Sequence, residues 1–599
     1  MSEHVPVNEF FEEVEKRITH ASASELQSIL RYLAARVPPV NRRGFLRELT
    51  HPQSAADEQG IQGVLRQGDL LSDIDDRVRA LKAEAQRAHS WMDEDGGFYD
   101  DEDSLGPYAR FLEPLVELFD RTAGVFDRGA VALAREAYRR LFFEALEVED
   151  DYGRGARVRD LPEVQMRAAR ARYLRAVYEG ERGARRPAML FDQMLRLELV
   201  VRGGRVTLSE VIAASPEPLP EQEEFLRAWI ALLRGQPGAA ADLWLREAIQ
   251  LSEGTRGLAA FALEEGARHP RAYVDWVAAL REEGKTEESL AAAREALRAL
   301  PPERPIRAQI AGFLSAAAQS LNDPEALQEG RWEAFTAYPG VSRLLDLRDA
   351  APRDERIARM REAARWLAEV LERRKIGRAE PWDPGVDMEA ERPFGVWGAA
   401  AVLAHALLLG GEWEAARAMS DGRDLTLGWS SPNNPQGVVV PALLRLLSGN
   451  PTTVSPNLSI VWERTGTHGA GIRSFDDADE GTRVREVRRL TDAHRELPDP
   501  APMDEDVARA LVRWCVDVTE RRAEAIVEQQ HRGAYPRAAA LVAACAEALN
   551  AQGQESEAAA LVERLKARFP RHSAFQRELD AAIGRMVGHR LPSPQRAAG

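Results

Sequence analysis

Helical periodicity is the feature that most restricts what this chain can fold into. Helix-length segments rich in Ala, Leu, Arg and Glu alternate with short breaks at Gly, Pro, Asn or Asp. These residues have high helix propensity, and the apolar ones fall on one face of each segment. Strand-like alternation is scarce, and β-branched residues cluster only at 197–212 and 437–441. We therefore predict an all-α fold, an α-solenoid of stacked helical hairpins with a few long irregular loops.

At 599 residues the chain is longer than one compact core needs, so several cores or an extended stack are expected. The breaks divide it into a helical region, an acidic loop, a repeat region, a linker, helices with long irregular loops, C-terminal repeat-like helices and a tail. In that order these regions span 1–90, 91–106, 107–376, 377–395, 396–503, 504–586 and 587–599.

Charge and cysteine content narrow the functional classes. The chain has 80 basic and 96 acidic residues, a formal charge of −16, which disfavours indiscriminate attraction to nucleic acid or anionic membranes. Its two cysteines give no disulfide framework, which suits a reducing compartment. The start lacks the features of a signal peptide, and the most apolar run, 396–411, is shorter than the ~20 residues that span a bilayer. A cytoplasmic protein without membrane association is expected.

Two windows match the size classes of a helical-repeat motif. In the first, anchored on Pro301, Tyr273, Trp276, Leu280 and Ser289 take the Trp, Leu, Tyr and small Ala positions. The second is anchored on Pro570 and places these residues in order: Val542, Cys545, Ala546, Leu549, Ala558 and Val562. Gly284 and Gly553 fall in the turns between the helices, and Val277 and Ala293 depart from the Gly and Phe of the motif.

On these residues the chain resembles tetratricopeptide-like repeat proteins over about 220–340 and 533–575, with degenerate matches elsewhere. It is also loosely similar to uncharacterised bacterial helical-repeat proteins, some of which carry a SWIM zinc finger. That finger needs a CxC and a CxH, and neither occurs in this sequence. The resemblance implies a curved helical surface that holds a protein or a peptide, and it implies no chemistry.

Local catalytic and metal motifs are missing from the sequence. The eleven histidines are scattered without HExxH or HxxxH spacing, and no GxxxxGK[ST] or GxSxG occurs. The glycine-rich stretch 466–471 lacks the spacing and the lysine of a phosphate loop. We therefore predict no catalytic residue, no cofactor and no metal site.

The acidic loop 91–106 carries seven carboxylates between Asp93 and Asp103. An EF-hand that starts at Asp93 fails, because Gly97, Phe98 and Ser104 occupy positions 5, 6 and 12. A solvated connection is favoured over adventitious binding of divalent cations. Whether this loop contacts the basic segment that follows it is left open.

Ten arginines lie between Arg154 and Arg186 against four acidic residues, a local charge of +6. On a helix, three-residue spacing would bring their side chains onto nearby faces, with an aromatic residue between them. The candidate partner- or anion-binding residues are Arg167, Arg170, Arg172, Tyr173 and Arg175. Two interpretations stay open: a charged face that pairs with the protein's own acids, or a surface that holds phosphates and unstacked bases.

Polar segments between 420 and 480 contain tryptophans in loop-like settings. The candidate loop surface consists of Trp429, Asn433, Asn434 and Trp462. Long irregular loops among helices are often functional or disordered, and these are too rich in Trp and Val to be simple tethers. We expect them to pack on the helical frame as a candidate binding surface.

The hypothesis that follows from the sequence is a non-enzymatic scaffold or adaptor that binds a protein or peptide partner on its helical-repeat surface. A nucleic-acid-associated regulator that uses the arginines of 154–186 is one alternative. An enzyme whose site is assembled from the 420–480 loops is the other, since spatial clusters need not show as local motifs. The sequence leaves the identity of the partner and the oligomeric state undetermined.

Overall fold

The fold is described from a computed structural model. It describes Ser22, Leu26 and residues 62–90, 106–150, 155–157, 160–161, 164–200, 204–376, 399–422, 424–431, 433–448, 455–468, 480–497 and 503–586. Helices follow one another along these residues, and no strand occurs among them. The prediction of an all-α fold of stacked helical hairpins is confirmed. The chain divides into two compact units, Met1–Phe225 and Leu226–Gly599.

The first unit packs its helices around a cluster of aromatic side chains. Phe142 lies 5.8 Å from Tyr138 and 5.9 Å from Tyr173, measured between ring centroids. Its helices are α1 (Gln62–Ser90), α2 (Leu112–Asp127), α3 (Val131–Arg140), α4 (Met166–Gly180), α5 (Arg185–Val200) and α6 (Leu208–Ala213). The boundary between the units falls within α7 (Gln222–Leu233).

The second unit also consists of consecutive helices that pack on one another. Its first helices are α8 (Ala239–Glu265), α9 (Arg271–Glu282), α10 (Thr286–Ala299), α11 (Arg307–Leu321), α12 (Pro324–Ala337), α13 (Val341–Ala350) and α14 (Arg356–Ile376). The later helices are α15 (Ala399–Leu409), α16 (Trp413–Met419), α17 (Gln436–Leu447), α18 (Pro456–His468), α19 (Glu480–Glu496), α20 (Glu505–Glu528), α21 (Tyr535–Ala551), α22 (Glu555–Arg568) and α23 (Ser573–Gly584).

Both windows of the repeat pattern fold as helical hairpins. Gly284 joins α9 to α10 and Gly553 joins α21 to α22, each with the positive φ that glycine adopts without steric cost. Ala546 and Ala558 are fully buried where α21 packs on α22, as the small-residue pattern predicts. Helical hairpins are therefore present in these windows, while the assignment to tetratricopeptide repeats in particular stays a prediction.

Small residues allow close packing between α11 and α12. A Cβ added to Gly330 would lie 2.5 Å from Ser315 Oγ and 2.7 Å from Leu314 Cδ2. Ser315 is buried and donates a hydrogen bond to Ala311 O at 2.9 Å, so its hydroxyl is satisfied within its own helix. Helices α11 and α12 are thus a tightly packed hairpin within the 220–340 window that resembles the repeat proteins.

Several predicted regions lie outside the described residues. These are the acidic loop except for Gly106, the linker 377–395 and the tail 587–599, together with most of 1–61. The loop-like setting predicted for the polar segments between 420 and 480 is wrong over Pro456–His468, where α18 lies. Ser455 starts that helix by accepting a hydrogen bond from Leu458 N at 3.1 Å. None of the described helices combines the length and the apolar character needed to cross a membrane.

Candidate functional site

Helix α4 carries all five candidate residues of the arginine-rich segment, and three of them are interior. Arg170, Tyr173 and Arg175 are each at most 2% exposed. Tyr173 donates a hydrogen bond to Gln193 Oε1 at 2.6 Å, and burial raises the pKa of its hydroxyl to about 12. Tyr173 packs edge-on against the aromatic core of the first unit, and Arg170 and Arg175 donate to backbone carbonyls, so these three residues are enclosed.

Arg175 organises the segment that follows α6. Its Nη1 donates to Ile212 O at 3.2 Å, and its Nη2 donates to Glu217 O at 2.7 Å and to Pro218 O at 3.2 Å. Its Nε pairs with Glu179 on the same helix. A planar guanidinium with five donors suits this role, because carbonyl oxygens of an irregular segment have no partners in a helix ladder.

Arg186 extends the same arrangement from the start of α5. It donates to Glu181 O at 2.9 Å and pairs with Glu221 Oε2 at 2.9 Å. Its guanidinium also lies 4.5 Å from the centroid of the Tyr178 ring. Arg175 and Arg186 thus hold the segment that follows α6 against α4 and the start of α5.

Arg167 and Arg172 differ from the three buried candidates on α4. Both reach the surface, and both have carboxylate partners. Arg167 pairs with Glu210, and Arg172 Nε lies 3.2 Å from Asp127 Oδ1. The two arginines line a cavity of about 480 Å³ together with residues of α6. Their charges are already neutralised there, so the binding of an external anion would have to compete with these ion pairs. A partner-binding role for them stays a prediction.

Asn434 fixes the loop that precedes α17. Its Nδ2 donates to Leu425 O at 2.7 Å and to Leu427 O at 2.8 Å, while its Oδ1 accepts from Gln436 N at 3.1 Å. Asn434 is buried and Asn433 beside it is exposed, with its backbone N–H donating to Ser431 Oγ at 3.3 Å. Asn434 therefore shapes the candidate loop rather than facing solvent from it.

Trp462 is a correction to the predicted loop surface. It lies on α18, is buried, and donates from Nε1 to Thr491 Oγ1 at 2.9 Å. Its ring lies 5.2 Å from the ring of His494 and 5.5 Å from the guanidinium carbon of Arg445. The polar residues around it in the sequence suggested a loop, but tertiary packing turns that segment into a helix with Trp462 on its inner face.

Trp429 lines a cavity with a volume of about 500 Å³. The loop before α17 and helices α18, α20 and α21 contribute its walls. The apolar part of the wall consists of Leu427, Trp429, Ile460, Val461, Ile526 and Leu541. Arg522, His531, Arg532 and Arg537 also line it, and we refer to the whole space as the Trp429 cavity.

Arg522 gives the Trp429 cavity its electrostatic character. Its guanidinium lies 4.1 Å from the centroid of the Trp429 ring, and its Nη1 donates to Thr426 O at 2.7 Å. Burial lowers the pKa of this guanidinium to about 9, and the positive charge of Arg537 acts in the same direction. At neutral pH the cavity therefore holds a desolvated cation in a lining that contains two further arginines, Arg532 and Arg537.

Arg522 and Arg537 were missed by reasoning from the sequence, although one signal points to Arg522. It lies four residues from Val518 and from Ile526 on α20, and both of those residues are buried. Helical periodicity therefore assigns Arg522 to the apolar face. An arginine on such a face either snorkels to solvent or has a specific partner.

Gly437 allows the loop that carries Trp429 to pack against the start of α17. A Cβ added there would lie 2.3 Å from the carbonyl oxygen of Trp429. We predict that Gly437→Ala lowers the free energy of unfolding by about 1–3 kcal/mol because the loop must shift. Gly312→Ala on α11 is the matched control, since nothing lies within 4 Å of its added Cβ.

At Gly312 the same substitution is expected to stabilise the protein by roughly 0.5–1 kcal/mol, because alanine has the higher helix propensity. Urea denaturation of both variants measures the difference. Equal shifts at the two positions would show that the close approach at Gly437 does not constrain the loop.

A second group of buried ionisable side chains consists of His405 on α15, Arg445 on α17 and His494 on α19. His405 Nδ1 and His494 Nε2 are 3.2 Å apart, and both rings are fully enclosed. Burial lowers the pKa of His405 to about 3 and that of His494 well below its ordinary value. No group of three or more His, Cys, Asp or Glu side chains that could hold a metal ion occurs in the described residues.

Comparisons with known proteins add little to this geometry. No protein family and no curated protein matches the chain. Among solved structures, the chain is similar to a "Circular tandem repeat protein with novel repeat topology and enhanced subunit contact surfaces", at 13% identity over 87% of this chain and 97% of that chain. The TM-score is 0.15, too low for that likeness to carry a structural argument.

Proposed function

We propose that this protein is a non-enzymatic scaffold that binds a protein or peptide partner on the surface of its helical hairpins. The observation that carries the proposal is the packing of α9 on α11, the first helices of two successive hairpins. Helices stacked in this way present their side chains as one continuous surface, on which repeat proteins hold extended partners.

Aromatic side chains lie on this surface without being enclosed by it. Trp276 on α9 and Phe313 on α11 are both half-buried. The guanidinium carbon of Arg281 lies 4.8 Å from the centroid of the Phe313 ring, so a cation and an aromatic ring are displayed together. Aromatic residues and arginine dominate the binding energy of protein interfaces, which supports this surface as the contact region.

Site-specific photo-crosslinking tests the proposal. A benzophenone amino acid placed at Trp276 or Phe313 of the full chain is expected to form a covalent adduct of defined mass in the native lysate. The same amino acid at Ala291, an exposed position on α10, is the matched control. Adducts at all three positions, or at none of them, would contradict binding at this surface.

A further inference from the structure

The Trp429 cavity combines apolar walls with cationic groups and has no acidic residue in its lining. Its volume of about 500 Å³ is in the range of small-molecule sites, roughly 300–1,000 Å³. Such sites are mostly apolar and place a few polar groups that orient the ligand. The cavity involves none of the residues of the hairpin surface proposed above to bind a partner.

The hydrogen bonding of Arg522 leaves capacity for a ligand. Among the described residues, only Nη1 of its guanidinium has an acceptor, the carbonyl of Thr426, and no carboxylate pairs with it. Four of the six arginines that are buried among the described residues have an acidic partner, as Arg175 has Glu179 and Arg246 has Asp242. A buried cation is costly unless it is paired, so an anion in the cavity would be bound by charge complementarity.

The guanidinium of Arg522 lies over the Trp429 ring. Its central carbon is 4.1 Å from the ring centroid, and both residues line the cavity. Arginine binds carboxylate and similar planar anions through its edge, with two parallel N–H···O hydrogen bonds. Arg537 on α21 supplies a second positive charge at the same cavity.

We propose that the Trp429 cavity binds an organic anion with one carboxylate-like group attached to an apolar body. The anionic group would lie at Arg522 and Arg537, and the body would pack against the apolar lining residues Ile460, Val461 and Leu541. A free carboxylic acid and the C-terminal carboxylate of an apolar peptide share this chemistry. A nucleic-acid phosphate fits less well, because its strongly hydrated backbone would face apolar walls.

Calorimetry with three ligands that share one apolar body tests the charge requirement. Naphthalene-2-carboxylate is expected to bind at least about tenfold more tightly than 2-naphthalenemethanol, because charge-assisted hydrogen bonds are the stronger ones. 2-Naphthylmethylamine, which is cationic, is expected to show no binding. Equal affinity for the acid and the alcohol would overturn the proposal.

Three variants of the full chain locate the binding. Arg522→Gln and Arg537→Gln should each weaken naphthalene-2-carboxylate binding by about tenfold while leaving the affinity for the alcohol unchanged. Arg521→Gln is the matched control. Arg521 is the neighbour of Arg522 in sequence, but its side chain pairs with Asp517 and does not line the cavity. If Arg522→Gln fails to fold, Arg537→Gln decides, and unchanged acid binding in that variant would overturn the proposal.

A peptide series then distinguishes the two sources of the anion. Acetyl-Gly-Gly-Phe is compared as the free acid and as the C-terminal amide. Binding of the acid form alone, lost in Arg537→Gln, would identify a peptide C-terminus as a ligand. Naphthalene-2-carboxylate binding without peptide binding would identify a free carboxylic acid.

Discussion

Replacing Arg175 by methionine is expected to lower the free energy of unfolding of the first unit by about 3 kcal/mol or more. Methionine fills similar space but donates no hydrogen bond, so the carbonyls of Ile212, Glu217 and Pro218 lose their donor. A buried polar group left without a partner costs about 1–3 kcal/mol, and Glu179 also loses its cation. The loss should be concentrated where those carbonyls lie.

Hydrogen exchange and urea denaturation measure this effect. In Arg175→Met the amides of residues 208–221 should exchange faster than in the unmodified protein, and the urea midpoint should fall. Arg167→Met is the matched control on the same helix, because Arg167 is 59% exposed and pairs with Glu210 at the surface. An exposed ion pair contributes at most about 1 kcal/mol, so the control should stay close to the unmodified protein.

Comparable losses in the two variants would contradict the structural role assigned to Arg175. This comparison also bears on the hypothesis of nucleic-acid binding. An arginine that holds carbonyls in the interior affects stability and leaves the salt dependence of polyanion binding unchanged. Only Arg167 and Arg172, of the four arginines singled out in the sequence, could change that salt dependence by direct contact.

Mild acid is expected to destabilise the second unit through the His405–His494 pair. In the unfolded chain a histidine takes up a proton near pH 6.5, whereas burial in the folded protein lowers the pKa of His405 to about 3. The unfolded chain therefore binds more protons below pH 6.5. The contribution of the pair to stability is complete above that pH and is lost as the pH falls toward 3.

The expected loss for His405 is about 2 kcal/mol between pH 7.5 and pH 5, from about 1.4 kcal/mol per pKa unit. His494 adds to this loss, because burial, the neighbouring His405 and the cations of Arg445 and Arg348 all lower its pKa. The measurement is the free energy of urea unfolding at several pH values above the range in which carboxylates titrate. The slope with pH is the readout, so a uniform loss of stability in a variant does not affect the test.

Two variants make the pH test specific. In the double variant His405→Phe and His494→Phe, apolar rings of similar size replace the pair, and the dependence between pH 7.5 and pH 5 should largely disappear. His531→Gln alters an exposed histidine and should leave that dependence intact. A double variant with the same slope as the unmodified protein would show that other groups cause the acid sensitivity.

Much of the fold could be predicted because helix formation depends on neighbouring residues. The breaks at Gly284 and Gly553 and the small residues Ala546 and Ala558 marked hairpins that the structure contains. The segment around Trp462 could not be predicted in the same way. Its polar neighbours have weak helix propensity, and the packing of Leu458, Val461 and Trp462 into the core overrides that preference.

The candidate sites depended still more on tertiary contacts. Trp429 was singled out from its polar surroundings and does line a cavity, but Arg522 lies 93 positions later in the chain and no local pattern joins the two. His405 and His494 are likewise 89 residues apart in sequence and 3.2 Å apart in space. Sites assembled from separate helices leave no local motif, because each helix contributes only one or two side chains.

The amino-acid sequence by itself determined that this chain is helical, where its hairpins turn and which faces of its helices are apolar, since these properties follow from local propensity and periodicity. Only the tertiary structure decided the roles of its charged residues. Arg175 and Arg522 are the same residue type in helices of similar composition. One is satisfied by carbonyls of a neighbouring segment, and the other lies at a cavity without an acidic partner among the described residues. That difference is set by what packs against each helix, and helix formation alone does not specify it.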